Sequence, residues 1–248
     1  MNSPKPFLGL LHGWGMNACV FDALVEALSD TCEVQTLTLP GHGGRDDLAD
    51  NSLAGWARDL VGQLPAGATL LGWSLGGQLA LRAALDYPQT VARLVLLAST
   101  PRFVAGPDWP HGIEARELDG FAGALCADPG ATLLRFLSLQ TRGVEGQKAL
   151  LQSLRAALAS TPAPTAAALD AGLTLLRETD LRAELGQVSQ PVLVVHGGLD
   201  TLSPAAAGAH LAARLPTARL LELPRAGHAP HLSHPGLVVD ALRAFCHA

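Results

Sequence analysis

The chain has 248 residues, 48% of them hydrophobic, and a formal net charge of −5: enough for one full core, with no electrostatic footprint for nucleic acid. No apolar run approaches the ~20 residues that cross a bilayer, and the opening MNSPKPFLGLLHGWG lacks the charged segment, apolar core and cleavage site of a secretory signal. The four cysteines (Cys19, Cys32, Cys126, Cys246) are scattered without CxxC or metal-ligand spacing, so a reduced, cytoplasmic protein is expected. In chain order, short apolar runs alternate with amphipathic stretches, the rhythm of βα units feeding a parallel sheet. A strand at 7–11 precedes a helix over 17–29; a strand at 33–39 precedes a helix over 52–64. Strands follow at 68–72 and 91–97 around a helix at 75–86, and later at 191–196 and 218–223 around a helix at 204–214. A helix over 234–246 closes the chain. Continuous apolar runs of this kind suit strands buried on both faces.

Between 102 and about 186 the rhythm stops. Four helical stretches, 114–126, 131–141, 147–159 and 165–179, are separated by Pro129-Gly130, Gly143, Pro162 and Pro164, with no strand pattern among them. The predicted organisation is a core of residues 1–101 and 187–248 with an all-helical insertion, 102–186, lying as a lid over the C-terminal edge of the sheet.

Gly72-Trp73-Ser74-Leu75-Gly76 has the form G-x-S-x-G. The pentapeptide is not specific by itself, but it joins a predicted strand to a predicted helix, as a nucleophile elbow must. An ordinary turn whose serine caps the helix is the alternative. A serine hydroxyl becomes a nucleophile only with a base to take its proton and a group to orient that base. The chain order Ser, acid, His selects Asp200, just past the run Pro191–His196, and His228, just past Leu220–Leu223. Both fall at C-terminal strand ends, where ligand crevices open in α/β sheets. Asp170 and Asp180 in the insertion and Asp240 in the final helix are weaker candidates. His231 and His234 follow His228, yet Pro230 and Pro235 interrupt the segment and no carboxylate or cysteine joins it, so no metal is expected. His196 reads as structural and His42 as a loop-shaping residue. For the oxyanion, the N–H of Leu75 and a second N–H from His12-Gly13-Trp14-Gly15, that of Trp14, are the candidate donors. The Trp14 indole would then sit by the acyl pocket.

This constellation resembles that of the α/β-hydrolase fold, and the expected architecture is a mostly parallel sheet with helices on both faces and an all-helical lid. Leu11-His12-Gly13-Trp14-Gly15-Met16-Asn17-Ala18, Leu71-Gly72-Trp73-Ser74-Leu75-Gly76-Gly77 and Ala226-Gly227-His228-Ala229-Pro230 together resemble the pimeloyl-[acyl-carrier protein] methyl ester esterases, the carboxylesterase family of biotin synthesis. The likeness extends into Phe136-Leu137-Ser138-Leu139-Gln140-Thr141 and Thr179-Asp180-Leu181-Arg182, and covers most of the chain from residue 8. The resemblance implies Ser74, Asp200 and His228 as a catalytic triad that removes a methyl group through an acyl-serine, without a cofactor. It also implies substrate contacts at Trp14, Ser74, Leu75, Phe136, Leu137, Ser138, Leu139, Gln140 and His228.

From 130 to 165 the basic residues Arg135, Arg142, Lys148 and Arg155 face a single acid, Glu145. That pattern fits either ordinary solvated helix faces or a surface that steers an acidic carrier protein. Only seven residues precede Leu8, so no antiparallel edge is expected before the first strand, and Ala131 and Gln152 stand where the resemblance leads one to expect arginine. A monomer with no nucleic-acid or membrane partner is expected. A general short-chain carboxylesterase and a non-catalytic ligand-binding protein of the same fold are the competing readings. The complete Ser74, Asp200 and His228 set argues against the second.

Overall fold

The structure, a computed structural model, describes residues 4–248; the first three residues of the predicted core segment lie outside the described residues. Six strands form one sheet: β1 (Phe7–Leu11), β2 (Glu33–Leu37), β3 (Ala68–Trp73), β4 (Val91–Leu97), β5 (Val192–Gly197) and β6 (Ala218–Leu223). Their order is β2-β1-β3-β4-β5-β6 and every pairing is parallel, so the described residues contain no antiparallel edge. β3 and β5 are buried at every position, which is why their sequences read as unbroken apolar runs. One predicted strand is shorter than expected. β2 was expected to reach residue 39 but ends at Leu37, because the Leu39 N–H donates to the His12 side chain (3.2 Å) instead of to a strand.

Helices cover both faces. On one, α1 (Asp22–Leu28) and α10 (Pro235–Cys246) contribute Leu24, Leu28, Val238, Leu242 and Phe245 to a core with Leu8, Leu10 and Trp73. On the other, α2 (Leu53–Val61), α3 (Leu75–Asp86) and α8 (Ala205–Arg214) bury Trp56, Leu60, Leu79 and Leu211. The predicted helix over 17–29 is in fact two pieces. Asn17 caps a 3-10 turn, Ala18–Phe21, before α1 begins. A short α9 (Pro230–Ser233) also precedes the last helix, where Pro235 restarts the backbone.

Between β4 and β5 lie α4 (Ala115–Ala127), α5 (Pro129–Gln140), α6 (Gln147–Ala159) and α7 (Ala166–Glu178), with a 3-10 turn at Arg182–Gln187 that periodicity does not reveal. Asp128 and Thr165 cap α5 and α7 by accepting from Ala131 N and Ala168 N. The inward residues Leu118, Phe121, Phe136 and Leu169 are continuous with the core that holds Leu11, Trp14 and Leu75. At the base of this helical segment Arg102 and Arg182 both pair with Asp108 and Asp180, at 2.7–3.4 Å.

The strand order places the site. Connections run one way from β1 to β2 and the other way from β3 to β4, so the chain reverses direction between β1 and β3. In an open α/β sheet the crevice at that reversal is where ligands bind. The loop after β1 carries His12–Asn17, and the turn after β3 carries Ser74.

Candidate active site

Ser74 stands at the turn with φ 58° and ψ −120°, a positive φ that costs a non-glycine residue of order 1–3 kcal/mol. The turn closes because its neighbours have no side chains. A Cβ on Gly72 would lie 2.1 Å from the Gly76 carbonyl oxygen, and one on Gly76 2.6 Å from the carbonyl oxygens of His12 and Leu11. Ser74 N–H donates to Leu97 O (3.0 Å), the Ser74 carbonyl accepts from Ser99 Oγ (2.8 Å), and the strain is thereby held by the adjacent strand.

The serine hydroxyl lies 2.9 Å from Nε2 of His228, and Nδ1 of His228 lies 2.7 Å from Oδ2 of Asp200. An Nδ1–H that donates to a carboxylate leaves Nε2 free to accept the serine proton, so the neighbours select the working tautomer. Asp200 is buried, and its other oxygen accepts from the N–H groups of Leu202 and Ser203, both at 2.9 Å. Those bonds fix the carboxylate so that Oδ2 stays turned to His228. His196, 3.8 Å from Asp200, donates from Nε2 to the Ser203 carbonyl (2.7 Å) and so stiffens the same loop. Burial holds the His196 pKa below its ordinary value, which suits this neutral, structural placement. His228 is fixed through its backbone: its carbonyl accepts from the Trp73 indole (2.7 Å), and its N–H donates to the Gln140 carbonyl at the end of α5 (3.2 Å).

Gly13 packs against Ser74; a Cβ there would lie 3.0 Å from Ser74 Cβ. Trp14 follows Gly13 directly in the same loop. Among the described residues, neither Trp14 N–H nor Leu75 N–H donates to a protein acceptor. Leu75 opens α3, where the first amides of a helix have no partner within it. Two histidines shape the loop. His12 accepts from Leu39 N–H (3.2 Å) and donates to Gly13 O (2.9 Å); His42 accepts from Gly15 N–H (3.3 Å) and donates to Pro40 O (2.8 Å). Burial drives their pKa values down, to about 3 for His12, with the His42 charge adding to the effect, and to about 4 for His42.

The Trp14 indole is buried and donates to the Leu169 carbonyl of α7 (2.9 Å), with the Phe136 ring edge-on at 4.9 Å. Phe136, Leu137 and Gln140 are buried, while Ser138 and Leu139 are half-buried, and Leu139 O accepts from Thr201 (3.4 Å). The segment Phe136–Gln140 thus bridges Trp14 on one side and the loops of Asp200 and His228 on the other. The four basic residues are all exposed but do not share one face. Lys148 and Arg155, seven residues apart on α6, line one groove with Leu151 and Gln152. Arg142 lies in the α5–α6 turn, and the Arg135 guanidinium sits 5.3 Å over the Phe121 ring. Asp180 is tied to arginines, and Asp170 and Asp240 are exposed and unattached to the histidine. No metal-binding group of three or more His, Cys, Asp or Glu occurs among the described residues. Neither is any helix among them long and apolar enough to cross a membrane.

Sequence reasoning missed the supporting residues Ser99, Ser203 and Trp73. Ser99 follows the C-terminal end of β4 and Ser203 follows Asp200 by three residues, positions that would have flagged them.

A buried serine on a strained strand-to-helix turn, hydrogen-bonded to a histidine that follows β6 and through it to an aspartate that follows β5, defines a class. A profile of the Alpha/beta hydrolase family matches residues 10–241, and the chain belongs to that family. Within it, the pimeloyl-[acyl-carrier protein] methyl ester esterase of Nitrosomonas europaea is 46% identical over 239 residues, covering 96% of this chain and 95% of that one. The protein of the same description from Aromatoleum aromaticum is 45% identical, covering 96% of this chain and 99% of that one. An esterase from Exiguobacterium antarcticum shares the fold with a TM-score of 0.87 at 22% identity, over 100% of this chain and 94% of that one. A hydrolase from Pseudomonas aeruginosa PA01 has a TM-score of 0.80 at 29% identity, over 100% of this chain and 92% of that one.

Proposed function

We propose that this chain hydrolyses the methyl ester of pimeloyl-[acyl-carrier protein] to the free carboxylate and methanol, acting in the cytoplasm as a monomer. The observation that carries the reading is the hydrogen-bonded line Asp200–His228–Ser74, at 2.7 and 2.9 Å, on the elbow after β3. The relatives' names supply the substrate.

His228 Nε2 takes the Ser74 proton as Oγ attacks the ester carbonyl, and Asp200 stabilises the imidazolium that forms. The N–H groups of Trp14 and Leu75 receive the oxyanion, donors worth roughly 10²–10³ each in rate. Collapse breaks the bond to the methoxy oxygen, which leaves as methanol with the proton from His228. Water, deprotonated by the same imidazole, then attacks the acyl-serine and releases the acid. The triad, two amides and water carry every step.

Ser74 is only 8% exposed, so the helical segment 102–186 acts as a lid that must give way for a chain tethered to a carrier. Phe136–Gln140 lines the path of the acyl group, and the acidic carrier docks on the α6 groove that carries Lys148 and Arg155. Expression in a host lacking its own pimeloyl methyl esterase should restore growth without biotin, and the Ser74→Ala variant should not. Wild-type failure there, with intact hydrolysis of p-nitrophenyl butyrate, would leave a general short-chain carboxylesterase.

A further inference from the structure

The loop after β1 is held by three helices of the 102–186 segment at once. Trp14 reaches α7 through its indole N–H, and a Cβ on Gly172 of that helix would lie 2.4 Å from the indole. Leu133 and Phe136 of α5 press on Gly15 and Trp14. The third attachment is Asn17. Its Nδ2 donates to Ala157 O (2.6 Å) at the end of α6 and to Thr161 Oγ1 (2.9 Å) just beyond, while its Oδ1 accepts from Cys19 N–H (3.0 Å). Asn17 is 2% exposed, and both amide protons and the amide oxygen are engaged. A Met16 N–H bond to Gly13 O (3.3 Å) and a Val20 N–H bond to Asn17 O (3.4 Å) transmit its position back through the turn to Trp14.

We propose that Asn17 is a positioning residue for the oxyanion site: by joining the His12–Asn17 loop to the end of α6, it holds the Trp14 N–H where the carbonyl charge develops. The proposal rests on the esterase reading of Ser74. Asn17 bonds to α6, Thr161 and Cys19, so its loss displaces a donor that matters chiefly in the transition state. Such a loss falls on kcat, with KM little changed.

The variants are Asn17→Ser, which keeps a short oxygen to cap the turn but cannot span to α6, and Thr161→Val, which removes one acceptor at constant shape. Both are assayed on p-nitrophenyl butyrate, with rates expressed per serine titrated by a fluorophosphonate. Asn17→Ser should lower kcat about tenfold, a fraction of one oxyanion donor, with KM within about twofold and the pH midpoint unmoved. Thr161→Val should give a smaller loss of kcat of the same kind, and it decides alone if Asn17→Ser does not fold. Wild-type kcat per titrated serine, or a loss carried by KM, overturns the proposal. A wild type no faster than Ser74→Ala instead overturns the esterase reading beneath it.

Discussion

Single residues set the geometry here because the turn that carries Ser74 admits almost no variation. A methyl group on Gly72 would meet backbone at 2.1 Å, and backbone cannot swing aside as a side chain does. Gly72→Ala should therefore abolish esterase activity and lower Tm sharply; a variant with wild-type activity would contradict the elbow geometry. Buried histidines impose a second residue-scale consequence. Burial pushes His12 and His231 down to about 3 and His42 to about 4, with the His228 charge adding to the effect at His231. The unfolded chain protonates these rings near 6.5, so the stability they contribute is whole above that pH. It is lost as pH falls from 6.5 toward 4 for His42 and toward 3 for His12 and His231, at up to about 1.4 kcal/mol per pH unit for each ring. Calorimetry should show Tm falling between about pH 7 and pH 5. His231, wedged between Trp73 at 4.9 Å and Phe21 at 5.3 Å with both ring nitrogens unpartnered, should carry part of that slope. His231→Leu should flatten it, and an unchanged slope would assign the acid sensitivity elsewhere.

Elements were legible wherever periodicity and punctuation agreed. All six strands lie where apolar runs predict, and α3 matches its expected span, 75–86. Where the reading slipped, a tertiary contact or a proline intervened: the His12 imidazole ends β2, the Asn17 cap splits the first helix, and Pro235 separates α9 from α10. The Ser, Asp and His candidates were readable because motif, order and strand ends coincided. The support Asn17 was not, since its role depends on a hydrogen bond to Ala157 that no local pattern encodes, while Ser99 and Ser203 were marked only by their places after β4 and after Asp200. The charge pattern left solvated helix faces and a carrier-steering surface both open; the structure pairs Lys148 with Arg155 on α6 and turns Arg135 toward Phe121. Reversing Lys148 and Arg155 to glutamate should therefore slow the carrier-linked ester at least tenfold more than p-nitrophenyl butyrate, and more so at low ionic strength. Equal losses on both substrates would remove the docking role from this face.

At the scale of the whole molecule, the sheet's reversal between β1 and β3 explains why one crevice gathers residues from distant parts of the chain. The His12–Asn17 loop comes from the first strand, Ser74 from the third, Asp200 from the fifth and His228 from the sixth. The helical segment between β4 and β5 then touches both halves, through Trp14 and Asn17 on one side and the Gln140 carbonyl on His228 at 3.2 Å on the other. The helical segment and the loops carrying Ser74, Asp200 and His228 thus form one packed unit. The direct measurement is mass spectrometry of pimeloyl-[acyl-carrier protein] methyl ester incubated with the purified protein and with Ser74→Ala. The wild type should convert the carrier to the species lighter by one methylene, with Ser74→Ala leaving it unchanged. An intact methyl ester after exposure to wild-type protein that still cleaves p-nitrophenyl butyrate would contradict the account.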